Sequence, residues 1–174
     1  MKTVLDHATE QASLYDADFY VWAQEQAALL RQVPRGSFEL DIDHLADEVE
    51  DMGRSELNKA SSLLRQALVH LLKLAILPDS PSREHWLSEV ITFQGDARLA
   101  FTPGMKQRIE LDSVWKAARN GATNVLKGSG LEAPVLPMAC PFALDELLAA
   151  EFDLGRMLER MTNTLRAAAG NSPR

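Results

Sequence analysis

The fold follows from one stretch, DIDHLADEVEDMGRSELNKASSLLRQALVHLLKLAIL, which spans residues 41–77. It contains no proline, and its apolar residues recur every three or four positions, the spacing of a single helical face. The residues between them are mostly acids and amides, so one side is predicted to face a core and the other to face water. A continuous helix of this length would be a rod of about 55 Å. Gly53 lowers helix propensity by about 1 kcal/mol relative to alanine, so the sequence leaves two alternatives open, one continuous helix or a helix with a kink or short break near Gly53.

The segment before this stretch also carries helix signals. A first helix is predicted to start at Asp16 or Asp18, whose side chains can accept N-terminal backbone N–H groups, and to stop at Pro34. Asp41 is the predicted N-cap of the long helix, which Pro78 ends. The inward face of the first helix is predicted to be the row of residues at helical spacing: Tyr15, Phe19, Trp22, Gln26, Leu29 and Val33.

The second half of the chain repeats a cap-and-proline signal. The Ser-Pro pair at 80–81 predicts the start of a third helix, and the Thr-Pro pair at 102–103 predicts a fourth that stops at Gly128. Residues 128–141 are rich in glycine and proline and read as an irregular loop, after which a last helix is predicted from about Phe142. The sequence therefore predicts an all-α fold, a helical bundle of four main helices plus a C-terminal helix. Its predicted core contains the leucines of residues 41–77 together with Phe19, Trp22, Trp86 and Trp115.

The composition is that of a globular, soluble protein, with 46% hydrophobic and 25% charged residues in 174. We predict a flexible N-terminal lead at 1–14, a single helical domain at 15–160 and a frayed C-terminal tail at 161–174. A net charge of −7 disfavours nucleic-acid binding, which requires cations to neutralise phosphates. The lone Cys140, the absence of a signal-like N-terminus and the absence of a long apolar run predict a cytoplasmic protein outside the membrane.

Several segments carry a family resemblance. They are YDADFYVWAQEQAALLR (15–31), LDIDHLADEVEDMGRSE (40–56), HLLKL (70–74) and CPFALDELL (140–148). Together they resemble the bacterial family called domain of unknown function 29, over most of residues 15–152. The resemblance implies a compact, all-helical, cytoplasmic protein. It supplies no activity, no cofactor and no catalytic residues.

The acidic block at the start of the long segment is a candidate metal site. Asp41, His44 and Glu48 lie at helical offsets that place them near one face. Di-iron proteins hold their metal inside helical bundles with Glu-x-x-His motifs on two facing helices. Here Asp41-x-x-His44 is the nearest match and it occurs once, so His70 and His85 would be the additional ligands. The competing interpretation is a solvated helix face with acids at the helix start.

Arg65 and His70 form an Arg-x4-His pair, which is similar to the Arg-x4-6-His motif of HEPN-type ribonucleases. In those small α-helical proteins the arginine stabilises phosphate charge and the histidine serves in acid–base chemistry. The pattern is short, and His70 lies in the apolar run LVHLLK, where a histidine at the edge of the core is the commoner outcome. The surrounding acids also repel RNA.

No catalytic constellation stands out, so the sequence predicts no catalytic residue and no cofactor. The predicted function is a non-enzymatic protein-interaction module, which would form a homo-oligomer or bind another protein not identified by the sequence. Two alternatives stay open: a HEPN-like ribonuclease that uses Arg65 and His70, and a metal-binding helical bundle that uses Asp41, His44 and Glu48.

Overall fold

The computed structural model describes residues 13–34, 36 and 39–170. Its helices, in chain order, are α1 (Phe19–Leu30), α2 (Ile42–Ile76), α3 (Arg83–Ala100), a 3-10 turn (Pro103–Met105), α4 (Leu111–Gly128), the one-turn α5 (Leu144–Leu147) and α6 (Leu154–Gly170). Residues 13–17 are also helical, and the described part of the chain contains no strand. The predicted all-α fold is confirmed. Most of the predicted N-terminal lead, residues 1–12, lies outside the described residues.

The long segment forms one helix of 35 residues, α2, which continues through Gly53 without a break. Asp41 is its N-cap, as predicted, because Asp41 Oδ1 accepts the backbone N–H of His44 at 3.2 Å. Gly53 serves close packing of two helices. A Cβ atom at this position would lie 2.9 Å from the Cβ of Ala23 in α1, closer than such atoms approach in proteins.

Tertiary contacts divide the chain into two compact units. Of the described residues, the first comprises those from 13 to 59 with Ala100–Ile109, and the second comprises Ala60–Leu99 with residues 110–170. The chain passes from the first unit to the second within α2. The prediction of a single domain at 15–160 stays a prediction.

In the first unit, α1 packs antiparallel against the N-terminal part of α2. Ala23 lies beside Gly53, while Arg31, two turns further along α1, reaches Asp47 at 2.7 Å and Glu50 at 2.6 Å. The buried residues of α1 are Tyr20, Ala23 and Ala27. Asp18 is the N-cap, since its carboxylate accepts the N–H of Val21 at 3.2 Å, which confirms one of the two predicted starts.

The predicted inward face of α1 is wrong. Tyr15 and Leu29 are about half exposed, and Phe19 and Trp22 are only partly buried. The physical reason is the close approach of the two helices, which leaves room for alanine opposite Gly53 but not for aromatic rings. The aromatic residues are therefore displaced to the side of the helix pair, and Phe19 and Trp22 do not belong to the buried core.

We predict that Gly53→Ala lowers the free energy of unfolding by about 1–2 kcal/mol, because the clash with Ala23 outweighs the gain in helix propensity. Urea unfolding of Gly53→Ala, Ala23→Gly and the double variant measures the coupling between the two sites. The double variant should be more stable than the sum of the two single effects by about 1 kcal/mol. Additive effects would contradict the close approach.

In the second unit the core is built from α2, α3, α4 and α6. Trp115 is fully buried and its indole N–H donates to the carbonyl of Pro137 at 3.0 Å. Trp86 and Val90 of α3 are also buried, so the predicted core roles of Trp86 and Trp115 are confirmed. The other fully enclosed large side chains of this unit are Leu64, Leu68, Leu71, Leu72, Leu74, Leu126 and Met161.

One of the two predicted boundaries of the fourth helix is corrected. The Thr-Pro pair at 102–103 begins only a 3-10 turn, and α4 starts at Leu111. The hydroxyl of Thr102 and the N–H of Gly104 both donate to the carboxylate of Asp18, so these groups hold the turn against α1 and do not open a helix. The predicted end at Gly128 is confirmed.

The C-terminal region is more ordered than the sequence indicated. The helix predicted from Phe142 is two helices, α5 and α6, with a break between them. The predicted frayed tail is wrong for residues 161–170, because α6 runs to Gly170 and buries Met161 and Leu165. Residues 171–174 lie outside the described part of the chain.

Candidate functional site

The predicted metal ligands lie on the surface of α2. Asp41 Oδ2 and His44 Nδ1 are 2.5 Å apart, and both side chains are exposed, as is Glu48. This hydrogen bond lowers the pKa of Asp41 and raises the pKa of His44. Within the described residues, no three His, Cys, Asp or Glu side chains come together in a group that could hold a metal ion. The described residues therefore contain no ligand cluster that would support the metal hypothesis.

The two residues of the predicted ribonuclease pair lie little more than one turn apart on α2. Arg65 and His70 are both in α2, where five positions correspond to a rotation of about 140° around the helix axis. Arg65 Nη2 donates to the hydroxyl of Ser62 at 3.3 Å, one turn earlier on the helix.

His70 instead lies at the edge of the packed region between α2 and α3. Its ring centre is 5.7 Å from that of Phe93 and 6.5 Å from that of His85. Its Nδ1 atom is buried and has no hydrogen-bond partner among the described residues. Burial lowers the pKa of His70, and the nearby positive charge of Lys73 lowers it further.

We predict that His70 weakens the fold in mild acid. Because its pKa in the folded state is below its value in the unfolded chain, about 6.5, the unfolded chain binds the proton first. Stability is unaffected well above this pH, falls as the pH drops below it, and reaches its full loss once the pH is below the folded pKa. The loss should stay below about 1 kcal/mol, since the side chain is only partly buried.

Urea unfolding of wild type and His70→Leu at pH 7.5 and pH 5.5 checks this prediction. The free energy of unfolding of His70→Leu, relative to that of wild type, should be higher at pH 5.5 than at pH 7.5. His44→Gln is the matched control, for which the change in stability with pH should have the opposite sign. Because the pKa of His44 is raised in the fold, its contribution to stability is present at low pH and is lost as the pH rises. An equal stability difference between His70→Leu and wild type at both pH values would contradict the prediction.

Cys140 also lacks the features of a reactive group. Its thiol is partly buried, and burial raises its pKa, whereas a nucleophilic cysteine requires a lowered pKa. Among the polar side chains singled out in the sequence, Asp41, His44 and Glu48 are exposed, whereas His70 and Cys140 are partly buried. The feature that does stand out in the first unit is apolar.

Three aromatic rings form a partly exposed cluster on α1 and the helical residues before it. The Tyr15 ring centre lies 5.4 Å from that of Phe19 and 4.7 Å from that of Trp22, both edge to face. Phe19 and Trp22 are stacked at 5.5 Å. Tyr15 is 49% exposed, and the other two rings are only partly covered. The rings thus stabilise one another, and about half of the Tyr15 side chain stays in water.

Apolar side chains of α2 lie on the same side of the helix pair. Arg31 marks one side, where it binds Asp47 and Glu50. Ala23 and Ala27 of α1 face Ala46 and Gly53 of α2 along the line where the two helices meet. The aromatic rings of α1 lie on the side of this line opposite to Arg31. Leu45 and Met52 of α2 lie on that same opposite side. We call this side the apolar flank; it comprises Tyr15, Phe19, Trp22, Leu29, Leu45 and Met52. Leu29, Leu45 and Met52 are 50%, 42% and 53% exposed.

The apolar flank belongs to the most acidic part of the chain. Residues 13–59 contain eleven carboxylates and four Lys or Arg side chains, a net charge of −7, which equals that of the whole protein. Residues 60–174 contain twelve carboxylates and thirteen Lys or Arg side chains and are nearly neutral. The protein therefore combines exposed aromatic rings and strong negative charge in one segment.

The spacing of these apolar residues predicts that they face the core, whereas in the structure they are exposed or only partly buried. A signal that could have placed them correctly is the row of small residues, Ala23 and Ala27 in α1 with Ala46 and Gly53 in α2. Small residues at helical spacing indicate a line of close contact, and large residues beside such a line are displaced outward.

These features define an all-helical protein whose first two helices form an antiparallel pair with an apolar flank. The chain belongs to the family described as Domain of unknown function DUF29, which it matches over residues 14–153. It is also similar to the crystal structure of an alpha-helical protein of unknown function from Rhodospirillum rubrum, at 35% sequence identity and a TM-score of 0.76, covering 84% of this chain and 96% of that chain. No curated protein matches the chain. In the described residues, no helix is long and apolar enough to cross a membrane.

Proposed function

We propose that the protein is a non-enzymatic protein-interaction module of the bacterial cytoplasm, and that it binds its partner through the apolar flank. The observation that supports this is the partly exposed cluster of Tyr15, Phe19 and Trp22, continued by the exposed Leu45 and Met52 on the neighbouring helix. Exposed tyrosine, tryptophan and methionine side chains are enriched where proteins bind one another, and a tryptophan often dominates the binding energy.

The occupant that fits this flank is a different protein with positive charge. A second copy of the chain would bring two segments of net charge −7 against each other, and like charges across an interface disfavour association. A partner with lysine or arginine side chains around apolar anchors would be attracted by the same charges, and the attraction would also raise the association rate.

Oxidative footprinting in an extract of cells that express the protein tests this proposal. Met52 lies on the apolar flank, whereas Met138 is 81% exposed in the second unit and serves as an internal control. We expect brief treatment with hydrogen peroxide to oxidise Met52 more slowly in extract than in buffer, and Met138 at the same rate in both. Trp22→Ala should remove the protection of Met52.

Two outcomes would contradict the proposal. Equal protection of both methionines would indicate non-specific coverage, and an unprotected Met52 would show that the flank stays free. Native mass spectrometry of the purified protein tests the other possible occupant, a second copy of the chain. A dimer that Trp22→Ala disrupts would assign the flank to that second copy.

A further inference from the structure

We propose that the partner contributes a basic amphipathic α-helix, which lies along the groove between α1 and α2 on the apolar flank. The inference rests on the proposed function, since it names the partner element that would occupy the same surface. It follows from the shape of the groove, from the order of the apolar side chains along it and from the charges that border it.

Two helices packed side by side leave a groove on each side, and a third helix fits such a groove. The groove on the Arg31 side is bridged by the ion pairs to Asp47 and Glu50. The other groove is lined by the apolar side chains of the apolar flank. Its length follows from the 12 residues of α1, which extend about 18 Å, together with the helical residues 13–17. A partner helix of about four turns would cover it.

The apolar side chains form an ordered row along this groove. The contacts Ala23–Gly53 and Arg31–Asp47 fix the register of the two helices. Trp22 therefore lies near the level of Met52, and Leu29 lies near the level of Leu45. Such a row accommodates a helix that presents apolar residues at i, i+3, i+4 and i+7, the usual mode by which an amphipathic helix binds a groove.

The border of the groove is acidic. Glu48 lies one turn from both Leu45 and Met52 on α2, and it is exposed. Asp41 lies one turn before Leu45 and is also exposed. Lys59, the nearby cation on this side of α2, is 3.5 Å from Glu56. Lysine or arginine side chains that flank the apolar stripe of a partner helix would meet Glu48 and Asp41, whereas glutamates in the same positions would be repelled.

Three synthetic 18-residue peptides, each with a fluorescent label and no tryptophan, test the inference with the full-length protein. The first is an amphipathic helix of leucine and lysine, the second has glutamate in place of lysine, and the third has the composition of the first in scrambled order. Anisotropy titrations give the affinities. We expect the leucine–lysine helix to bind at least tenfold more tightly than either of the others, and more weakly as salt rises from 0.05 to 0.5 M.

Matched variants locate the binding. Trp22→Ala should lower the affinity for the leucine–lysine helix at least tenfold, and Glu48→Gln should lower it several-fold. Glu132→Gln removes one exposed carboxylate from the second unit and should change nothing. Circular dichroism confirms that each variant folds, and Trp22→Phe, which keeps an aromatic ring, should restore part of the affinity.

The outcomes separate this inference from the proposed function. If the glutamate peptide binds as tightly as the lysine peptide and Trp22→Ala weakens both, the flank is an interaction surface but the basic partner is refuted. If the scrambled peptide binds as tightly as the helix, an amphipathic helix is refuted. If the lysine peptide does not bind, or if Trp22→Ala has no effect on its binding, the inference fails whatever the footprint of Met52 shows.

Discussion

Gln94→Glu is expected to lower the free energy of unfolding by about 3–5 kcal/mol at pH 7, because it places a buried carboxylate opposite two carbonyl groups. Gln94 is 7% exposed, and its side-chain NH2 donates to the carbonyl of Leu147 at 3.1 Å and to that of Ala149 at 3.0 Å. These bonds hold the break between α5 and α6 against α3. A carboxylate has no proton to donate to either carbonyl and is repelled by both.

Urea unfolding of Gln94→Glu and Gln94→Leu checks this expectation. The leucine variant loses both hydrogen bonds without adding a charge, so it should cost about 1–3 kcal/mol. Because the folded state favours the protonated glutamic acid, its pKa in the fold should lie above the unfolded value of about 4.3. The additional cost of the glutamate should therefore shrink as the pH falls toward 4. Equal stability of the two variants at pH 7 would contradict the burial of this side chain.

Gly104→Ala is expected to lower the free energy of unfolding by about 3 kcal/mol, through overpacking next to α1. A Cβ atom at Gly104 would lie 2.1 Å from Val21 Cγ2 and 2.9 Å from Asp18 Oδ2. The N–H of Gly104 also donates to that carboxylate at 2.7 Å, so the turn cannot move away without breaking the bond. The clash can be relieved only if Val21 shifts or if the turn moves and breaks this hydrogen bond, and either change lowers the stability of the fold.

Gly95→Ala is the matched control, because a Cβ atom at Gly95 has no neighbour within 4 Å and the residue lies inside α3. It should raise the free energy of unfolding by about 0.5–1 kcal/mol through helix propensity. Thermal or urea unfolding of both variants gives the comparison. Equal effects at the two positions would show that the close approach of the 3-10 turn to α1 is incorrect.

Asp18 shows why this junction is sensitive. Its carboxylate is buried and accepts hydrogen bonds from the N–H of Val21, the hydroxyl of Thr102 and the N–H of Gly104. A helix cap and a long-range connection are thus made by one side chain. The arrangement keeps the start of α1 in place, and α1 carries the Phe19 and Trp22 rings of the apolar flank.

The local helical elements followed from the sequence to a large extent. The 3.6-residue period of residues 41–77 and the capping aspartates at 18 and 41 predicted α2 and the starts of α1 and α2, because periodicity and capping act within a few residues of the chain. The end of α4 at Gly128 and the burial of Trp86 and Trp115 were also predictable, and both are confirmed. The continuity of α2 through Gly53 was not predictable from the sequence. The low helix propensity of glycine disfavours it, and the packing against α1 that outweighs this propensity is a tertiary contact.

Only the tertiary structure decided which helical faces are buried. Tyr15, Phe19 and Trp22 form an apolar row that the sequence could not distinguish from a core face, and the contact of Ala23 with Gly53 moved that row outward. The roles of Gln94, Thr102 and Gly104 depend on partners more than fifty positions away. Periodicity reports that a face is apolar, but the choice between a core and an exposed binding surface depends on how closely a neighbouring helix can approach, which side chains distant in sequence determine.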